Sequence, residues 1–292
     1  MDHLYLIAPL ISAVVYAWGA QVMSVAGSRG AAALHTNCLT NAMTAAGFVV
    51  LAVPQGMPLL SPAGWVIVAL GVVFALGHYA TVLSFSRGDV GLATPILSAK
   101  VLLVALALAL VVGEAVAWQV WVGAVLVGAG ITVLQRTGAR AGTHAVGFTV
   151  TLSLLAAALF AGFDVGVQVV SGQHSFAKTV PHAALVATVV AYLFTFTSKQ
   201  RWPKRGDRVW PPLLLGSALN AGQAVLLIST IAFSQDVAGV NIVYGSRGIW
   251  GVLIAWIAVY GFTRAALRQP GLRLRLIGAG LIFASVVLVF TR

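Results

Sequence analysis

The chain has 292 residues, of which 60% are hydrophobic and only 8% are charged, and its formal net charge is +11. Soluble domains carry about 25% charged residues, so this composition excludes an ordinary soluble protein and indicates a polytopic membrane protein. The basic residues lie in short connections between apolar runs, which indicates membrane topology and not nucleic acid binding. The single cysteine, Cys38, excludes an internal disulfide and metal sites built from paired thiols.

Ten stretches reach or approach the roughly 20 apolar residues that a membrane-spanning helix needs. The first has neither the basic start nor the cleavage site of a signal peptide, so it is predicted to be a retained helix. The predicted fold class is therefore an all-α membrane protein with ten transmembrane helices. The predicted spans are residues 4–26, 34–54, 64–86, 91–113, 118–135, 147–170, 181–198, 212–233, 237–260 and 272–290.

The fourth and ninth spans resemble each other. FSRGDVGLATPILSAKVLLVALALALVVGE aligns, with one gap, with FSQDVAGVNIVYGSRGIWGVLIAWIAVYGF, and the alignment places Lys100 on Arg247. The fifth span, WVGAVLVGAGITVL, is likewise similar to LIGAGLIFASVVLV in the tenth. Two five-helix repeats are therefore predicted, at residues 1–140 and 145–292. An odd number of helices in each makes the second repeat inverted, which predicts a binding site near the membrane midplane between the halves.

Lysine and arginine are concentrated on one side of the predicted membrane. The connections after odd-numbered spans carry thirteen of them, whereas the other side has only Lys178 and Arg292. This positive-inside bias predicts that both termini lie outside the cytoplasm. The basic run at residues 199–208 is predicted to anchor on anionic headgroups, with a specific lipid or regulatory site as the alternative. The predicted location is the inner membrane of a bacterium, crossed many times.

A third helix containing Tyr79 leads to a proline-containing fourth helix that ends in Gly-Glu, and the fifth begins with Trp-Gln and carries spaced glycines. This order resembles the signature of the drug/metabolite transporter superfamily, EamA type. The second half departs from the pattern, because Gly261 and Ile242 stand where Glu114 and Pro95 would repeat. The residues that match are Ala75, Leu76, Tyr79, Pro95, Gly113, Glu114, Gln119, Gly123, Leu126 and Gly130.

The resemblance implies ten helices in two inverted halves and a secondary transporter that works by alternating access. Members of this family export amino acids and other metabolites or exchange nucleotide sugars and sugar phosphates, so the resemblance implies the mechanism class better than the substrate. The family is often described with cytoplasmic termini, which is opposite to the orientation that the charge bias predicts here.

Lys100 and Arg247 are each predicted to lie about 15 Å into their helices, near the midplane. A charge at that depth is costly and usually faces a binding site or a wet cavity. We expect the two cations to hold a carboxylate or phosphate; the alternative is that protein acids or carbonyls neutralise them. Asp164 is the one clearly buried carboxylate in the predicted spans. It is a candidate for pairing with one cation, for proton coupling, or for a solvated vestibule.

Further polar and aromatic residues recur at matching depths and complete the predicted substrate site. For any single aromatic or small residue, ordinary helix packing is the alternative. His78 could carry a proton or donate to substrate, or it could be a hydrogen-bonded packing residue. The residues predicted to join Lys100 and Arg247 are Tyr244, Asn241, Ser98, His78, Tyr79, Trp18, Gln21, Phe163, Asn220 and Gln223.

No phosphate-binding P-loop, metal-ligand histidine pair or G-x-S-x-G elbow occurs in the sequence, so neither a cofactor nor an enzyme is predicted. The predicted function is secondary transport that exports or exchanges small metabolites. The predicted substrates are amino acids, including aromatic or apolar ones. The alternative is an antiporter of phosphorylated or other anionic metabolites; a channel and a membrane scaffold are more distant. The predicted partners are a small-molecule substrate, the lipid bilayer, and a proton or counter-substrate, while the oligomeric state stays open.

Overall fold

The computed structural model describes residues 4–87, 93, 96–97, 99–135, 143–197, 201–260 and 272–290, and the regular elements within these ranges are all helical. Three short 3-10 turns and one π-turn, Leu108–Val112, extend or join the helices. The helices are α1 (Ile7–Ser28), α2 (Ala33–Ala52), α3 (Trp65–Arg87), α4 (Lys100–Ala107), α5 (Trp118–Gln135), α6 (Thr143–His174), α7 (Val180–Thr195), α8 (Trp210–Ser234), α9 (Val237–Gly245), α10 (Arg247–Tyr260) and α11 (Leu272–Phe290).

Six helical segments among the described residues are long and apolar enough to cross a membrane. Their mean hydropathy lies between 1.4 and 2.2, and two further apolar helices, Lys100–Val112 and Trp118–Gly130, are shorter. The prediction of an all-helical, multi-pass membrane protein is therefore confirmed. The six are Leu4–Ser28, Ala33–Gln55, Trp65–Phe85, Gly147–His174, Phe176–Thr195 and Trp210–Ser234.

The predicted fourth and ninth spans are interrupted directly before their cations. Ser246 is a turn residue between α9 and α10, so the prediction of one continuous helix over 237–260 is wrong at that point. Ala99 is likewise a turn residue that precedes Lys100, the first residue of α4, and this breaks the continuous helix predicted over 91–113. Glycines at 245 and 248 disfavour a continuous helix around Ser246.

The hydrogen bonds around the two interruptions follow the same pattern. The amide of Ala99 donates to Ile96, three residues back, at 2.9 Å, and the amide of Ser246 donates to Val243 at 3.1 Å. The carbonyl of Ala99 then accepts bonds from the amides three and four residues ahead, and so does the carbonyl of Ser246. Each interruption is thus one tight, 3-10-like turn, and each places a cation at the first position of the next helix.

Helix packing follows an exchange pattern between the two halves of the chain. Helix α1 packs along α8, and α3 correspondingly packs along α6; α3 also lies on α7 and α2 on α8. Helix α4 contacts α6, as α9 and α10 contact α1. The large contacts of α2 with α7 and of α5 with α11 each join helices at equivalent positions of the two predicted repeats. The bundle interior is therefore built from surfaces of both halves.

Helices α5 and α11 approach closely at a glycine. A Cβ atom on Gly130 would lie 2.7 Å from the carbonyl oxygen of Gly278 and 2.7 Å from Cγ1 of Ile282, whereas Gly128 on the same helix has nothing within 4 Å. Gly130→Ala is expected to destabilise the protein by about 1–3 kcal/mol through overpacking. Gly128→Ala is the matched control and should unfold like the parent. Thermal unfolding in detergent measures both, and equal midpoints for the two variants would contradict the prediction.

Candidate functional site

A cavity of about 40 Å³, lined mainly by buried side chains, lies inside the bundle. Its walls come from α1, α2, α3, α4, α6, α8, α9 and α10 and so include helices of both halves. At about 10–15 Å³ for each water molecule, it has room for about three waters. Three waters have three non-hydrogen atoms, and every amino acid has at least five. The cavity would therefore have to widen before it could hold an amino acid.

In the described part of the chain, two cations and one carboxylate line this cavity. Lys100 and Asp164 form an ion pair with 2.6 Å between Nζ and Oδ2, and both side chains are buried. The Nδ2 atom of Asn241 donates to the same carboxylate oxygen at 2.8 Å. Charges removed from water are stable only when they are paired and hydrogen-bonded. Asp164 therefore acts, in this conformation, as the internal counter-ion of Lys100.

Arg247 lies in the same cavity, against two aromatic rings. Its Cζ atom is 4.4 Å from the ring centroid of Tyr244 and 4.9 Å from that of Tyr16, and its guanidinium donates to the carbonyl of Leu97. The Nζ atom of Lys100 is 5.2 Å from the Tyr244 ring. One aromatic ring thus contacts both cations, an arrangement that cation–π attraction stabilises.

The hydroxyl of Tyr244 is itself held in place. It donates to Oε1 of Gln223 at 2.8 Å, and the hydroxyl of Ser12 donates to the backbone carbonyl of Gln223 at 2.8 Å. These two bonds join α1, α8 and α9 at the depth of the cations. The ring between Lys100 and Arg247 therefore has a fixed position.

The α3 side of the cavity is aromatic. The ring of His78 lies 4.3 Å from that of Phe74 and 5.3 Å from that of Phe160. The Nζ atom of Lys100 is 6.0 Å from the Phe160 ring. His78 is buried and its Nδ1 atom has no hydrogen-bond partner within the described part of the chain. The cavity therefore combines a charged region with an apolar wall that carries one imidazole.

The structure brings most of the predicted site residues together. Seven of them line the cavity, and Asn241 contacts it through Asp164. The seven are Lys100, Arg247, Tyr244, His78, Asn220, Gln223 and Asp164.

Four predicted residues do not line the cavity. Trp18 is 53% exposed on the outside of the bundle, Gln21 is half-buried on α1, and Tyr79 is half-buried with its ring 6.3 Å from Phe194. Phe163 is fully buried, but behind the cavity wall. The predicted position of Ser98 lies outside the residues that the structure describes.

Thr40, Met23 and Phe74 line the cavity without having been predicted. The sequence did indicate a site position for Thr40. Asn37, Asn41 and Thr44 recur beside it at helical spacing in an apolar span, and such polar residues face a bundle interior. There is no such indication for Phe74 in the sequence, because phenylalanine is equally suited to lipid and to a protein core. In the described ranges, no three His, Cys, Asp or Glu residues are grouped so that they could hold a metal ion.

Residues 3–136 match the model of the EamA-like transporter family. No individual curated protein matches the chain in sequence. The fold is similar to that of a crystal structure with a TM-score of 0.72; at 16% sequence identity, the match covers 98% of this chain and 95% of the other. The resemblance seen in the sequence is confirmed over residues 3–136, which are similar to a family of small-molecule membrane transporters within the drug/metabolite transporter superfamily.

Proposed function

We propose that this protein is a secondary active transporter that exports or exchanges amino acids or similar small metabolites across a bacterial inner membrane. The substrate carboxylate would be held by Lys100 and Arg247. One observation carries the proposal: these two cations, far apart in sequence, contact the same Tyr244 ring inside one buried cavity. Alternating access would open the cavity to each side in turn, driven by a proton or counter-substrate gradient.

The architecture that goes with this mechanism is ten transmembrane helices in two inverted repeats. Two observations support it. The interruptions before Lys100 and Arg247 have the same hydrogen-bond pattern, and the largest helix contacts have counterparts when the two halves are exchanged. In inverted-repeat transporters the substrate site lies between the repeats and is often formed by discontinuous helices. The positions of Ala99 and Ser246 fit that arrangement.

The charges of the cavity favour an anionic group on the substrate. Two cations face one carboxylate, and both cations stand at helix starts, where the helix dipole adds partial positive charge. Asp164 adds a preference for a positive group nearby. A zwitterion satisfies both, because its carboxylate could take Lys100 and Arg247 while its amine approaches Asp164.

Asp164 is also the coupling candidate. A substrate carboxylate that binds Lys100 would compete with Asp164, whose oxygen is 2.6 Å from the ammonium. The displaced carboxylate could then be neutralised by the substrate amine or by a proton. Of the residues that the structure describes, the other charged or titratable side chains that line the cavity are Arg247, His78, Tyr16 and Tyr244.

The second candidate function is antiport of phosphorylated metabolites. It is motivated by the presence of two cations in one cavity, since a single carboxylate needs only one. The Asp164 carboxylate weighs against it, because it would repel a doubly charged phosphate at close range.

Counterflow in proteoliposomes tests the proposal. Vesicles loaded with an unlabelled amino acid should accumulate the same labelled amino acid, whereas sugar phosphates should not exchange. Exchange of sugar phosphates without exchange of amino acids would overturn the first function in favour of the second. Coupling is measured separately, as net uptake of labelled amino acid into vesicles without internal substrate, while a pH-sensitive dye reports the lumen. Net substrate uptake without any proton movement would leave Asp164 as a pairing residue only.

A further inference from the structure

Hydrogen bonds join the two halves of the chain at the end of the bundle where α8 passes into α9, here called the Asp236 end. The hydroxyl of Tyr5 donates to Oδ2 of Asp236 at 2.6 Å. Gln168 accepts a hydrogen bond from the amide of Val237 at 2.7 Å and donates to Oε1 of Glu114 at 3.4 Å. The N-terminal segment, the end of the fourth span, α6 and the start of α9 are therefore connected there.

Two of the polar contacts between α6 and α9 are spaced by one helical turn on each helix. Asp164 and Gln168 are four residues apart on α6, and Val237 and Asn241 are four residues apart on α9. Asn241 bonds to Asp164 at 2.8 Å, and the amide of Val237 bonds to Gln168 at 2.7 Å. Residues four apart lie above one another on a helix. The contacts are thus successive rungs of one ladder, separated by about 6 Å at 1.5 Å per residue.

The lower rung belongs to the cavity and the upper rung to the Asp236 end. Asp164 contacts Lys100 as well as Asn241, so any change at Lys100 acts on the lower rung. At the upper rung, Asp236 caps α9 by accepting a hydrogen bond from the amide of Gly239 at 3.0 Å, which fixes the start of the helix.

We propose that this ladder is the gate of the Asp236 end, with Gln168 and Asp236 as its gating residues. While both rungs are formed, the start of α9 is held against α6 and the cavity is closed at that end. Occupation of the cavity, which rests on the proposed function, draws Lys100 away from Asp164 and leaves that carboxylate to be neutralised by the substrate amine or a proton. A neutralised Asp164 accepts the Asn241 bond less strongly, which weakens the lower rung and lowers the cost of opening the upper one. Such a paired element with two discrete arrangements is the physical requirement for coupling a site to a gate.

Cysteine accessibility tests the gate without any substrate. Cys38 is the only cysteine, so Cys38→Ala gives a background in which Ile228→Cys places a single thiol in the cavity wall, where the side chain is 2% exposed. A membrane-impermeant thiol reagent is applied to sealed vesicles of each orientation.

Leu59→Cys in the same background lies at a position 96% exposed, in the connection whose Ser61 donates to the carbonyl of Lys178. Phe176, two residues before Lys178, packs on Phe233 close to Asp236, so this cysteine identifies the vesicles in which the Asp236 end faces the reagent.

Gln168→Ala and Tyr5→Phe should each raise the labelling rate of the cavity cysteine severalfold from the Asp236 face. Gln55→Ala is the matched control: Gln55 is exposed and donates to Leu51 of its own helix at 2.8 Å, and the variant should label like the parent. If Tyr5→Phe and a folded Gln168→Ala both label at the parent rate, the gate is wrong. Should Gln168→Ala fail to fold, Tyr5→Phe decides, since it deletes only one oxygen atom.

A double-mutant cycle tests the connection between the rungs. Lys100→Met should raise labelling when Gln168 is present and add little in the Gln168→Ala background, because the two changes act on one ladder. Fully independent effects would overturn the connection. The gate and the proposed function can also fail separately. Altered labelling without amino acid counterflow would support the gate and reject amino acid transport, whereas counterflow with unaltered labelling would reject the gate and keep the transport function.

Discussion

Asp164→Ala is expected to lower the free energy of unfolding by about 3–5 kcal/mol, because the Lys100 ammonium would remain buried without its carboxylate. The substitution also removes the acceptor of the Asn241 amide. A denaturant titration of the purified protein in detergent micelles, followed by far-UV circular dichroism, measures the loss.

The double variant Asp164→Ala/Lys100→Met separates charge from packing. It removes both members of the pair, so it should recover much of the stability that the single variant loses. Asp207→Ala is the surface control, since Asp207 is exposed in the connection before α8. If Asp164→Ala unfolds at the same denaturant concentration as the parent, the ion pair does not stabilise the bundle.

Arg247→Met is expected to reduce the initial rate of counterflow at low substrate concentration by about 10- to 100-fold. Hydrogen bonds to a charged group contribute about 1.5–3 kcal/mol, and 1.4 kcal/mol corresponds to a factor of ten. Arg247→Lys should give an intermediate rate, because lysine keeps the charge but lacks the planar fork that binds a carboxylate through two bonds. Labelled amino acid uptake into preloaded proteoliposomes measures all three proteins.

Arg205→Met controls for the loss of one positive charge, since Arg205 is exposed in the connection between α7 and α8. It should transport like the parent. Size-exclusion profiles confirm that each variant is folded before reconstitution. An Arg247→Met variant that is folded and transports at the parent rate would show that this guanidinium does not hold the substrate.

Much of the fold could be predicted from the sequence because spanning length and apolar content decide where helices form in a membrane. The ends of α1, α2 and α3 fall within a few residues of the predicted spans. The interruptions at Ala99 and Ser246 were missed, since both runs remain apolar across the break. Helix α6 extends beyond its predicted span at both ends, to Thr143 and His174, because polar residues continue a helix outside the lipid as well.

The site could be predicted where a charged side chain lies in the middle of an apolar span. Lys100, Arg247 and Asp164 stood out as charges in apolar runs, and the structure brings all three to one cavity. The sequence could not say which cation Asp164 contacts, since that depends on how helices rotate about their axes. For the same reason Trp18 was assigned to the site although it is exposed. Lipid and protein core are equally apolar, so the hydrophobic pattern of a spanning helix does not indicate its inner face.

Among the described residues, two cations and one carboxylate line the cavity, and in the proposed alternating-access cycle they would determine how a membrane voltage acts. With all three ionised, the lining carries one net positive charge when empty, the same charge with a zwitterion bound, and none with a monoanion bound. Moving one elementary charge through the field changes the energy by about 2.3 kcal/mol per 100 mV. An inside-negative voltage would therefore draw the empty cavity inward in every case, but would act on the loaded cavity only if the substrate is a zwitterion.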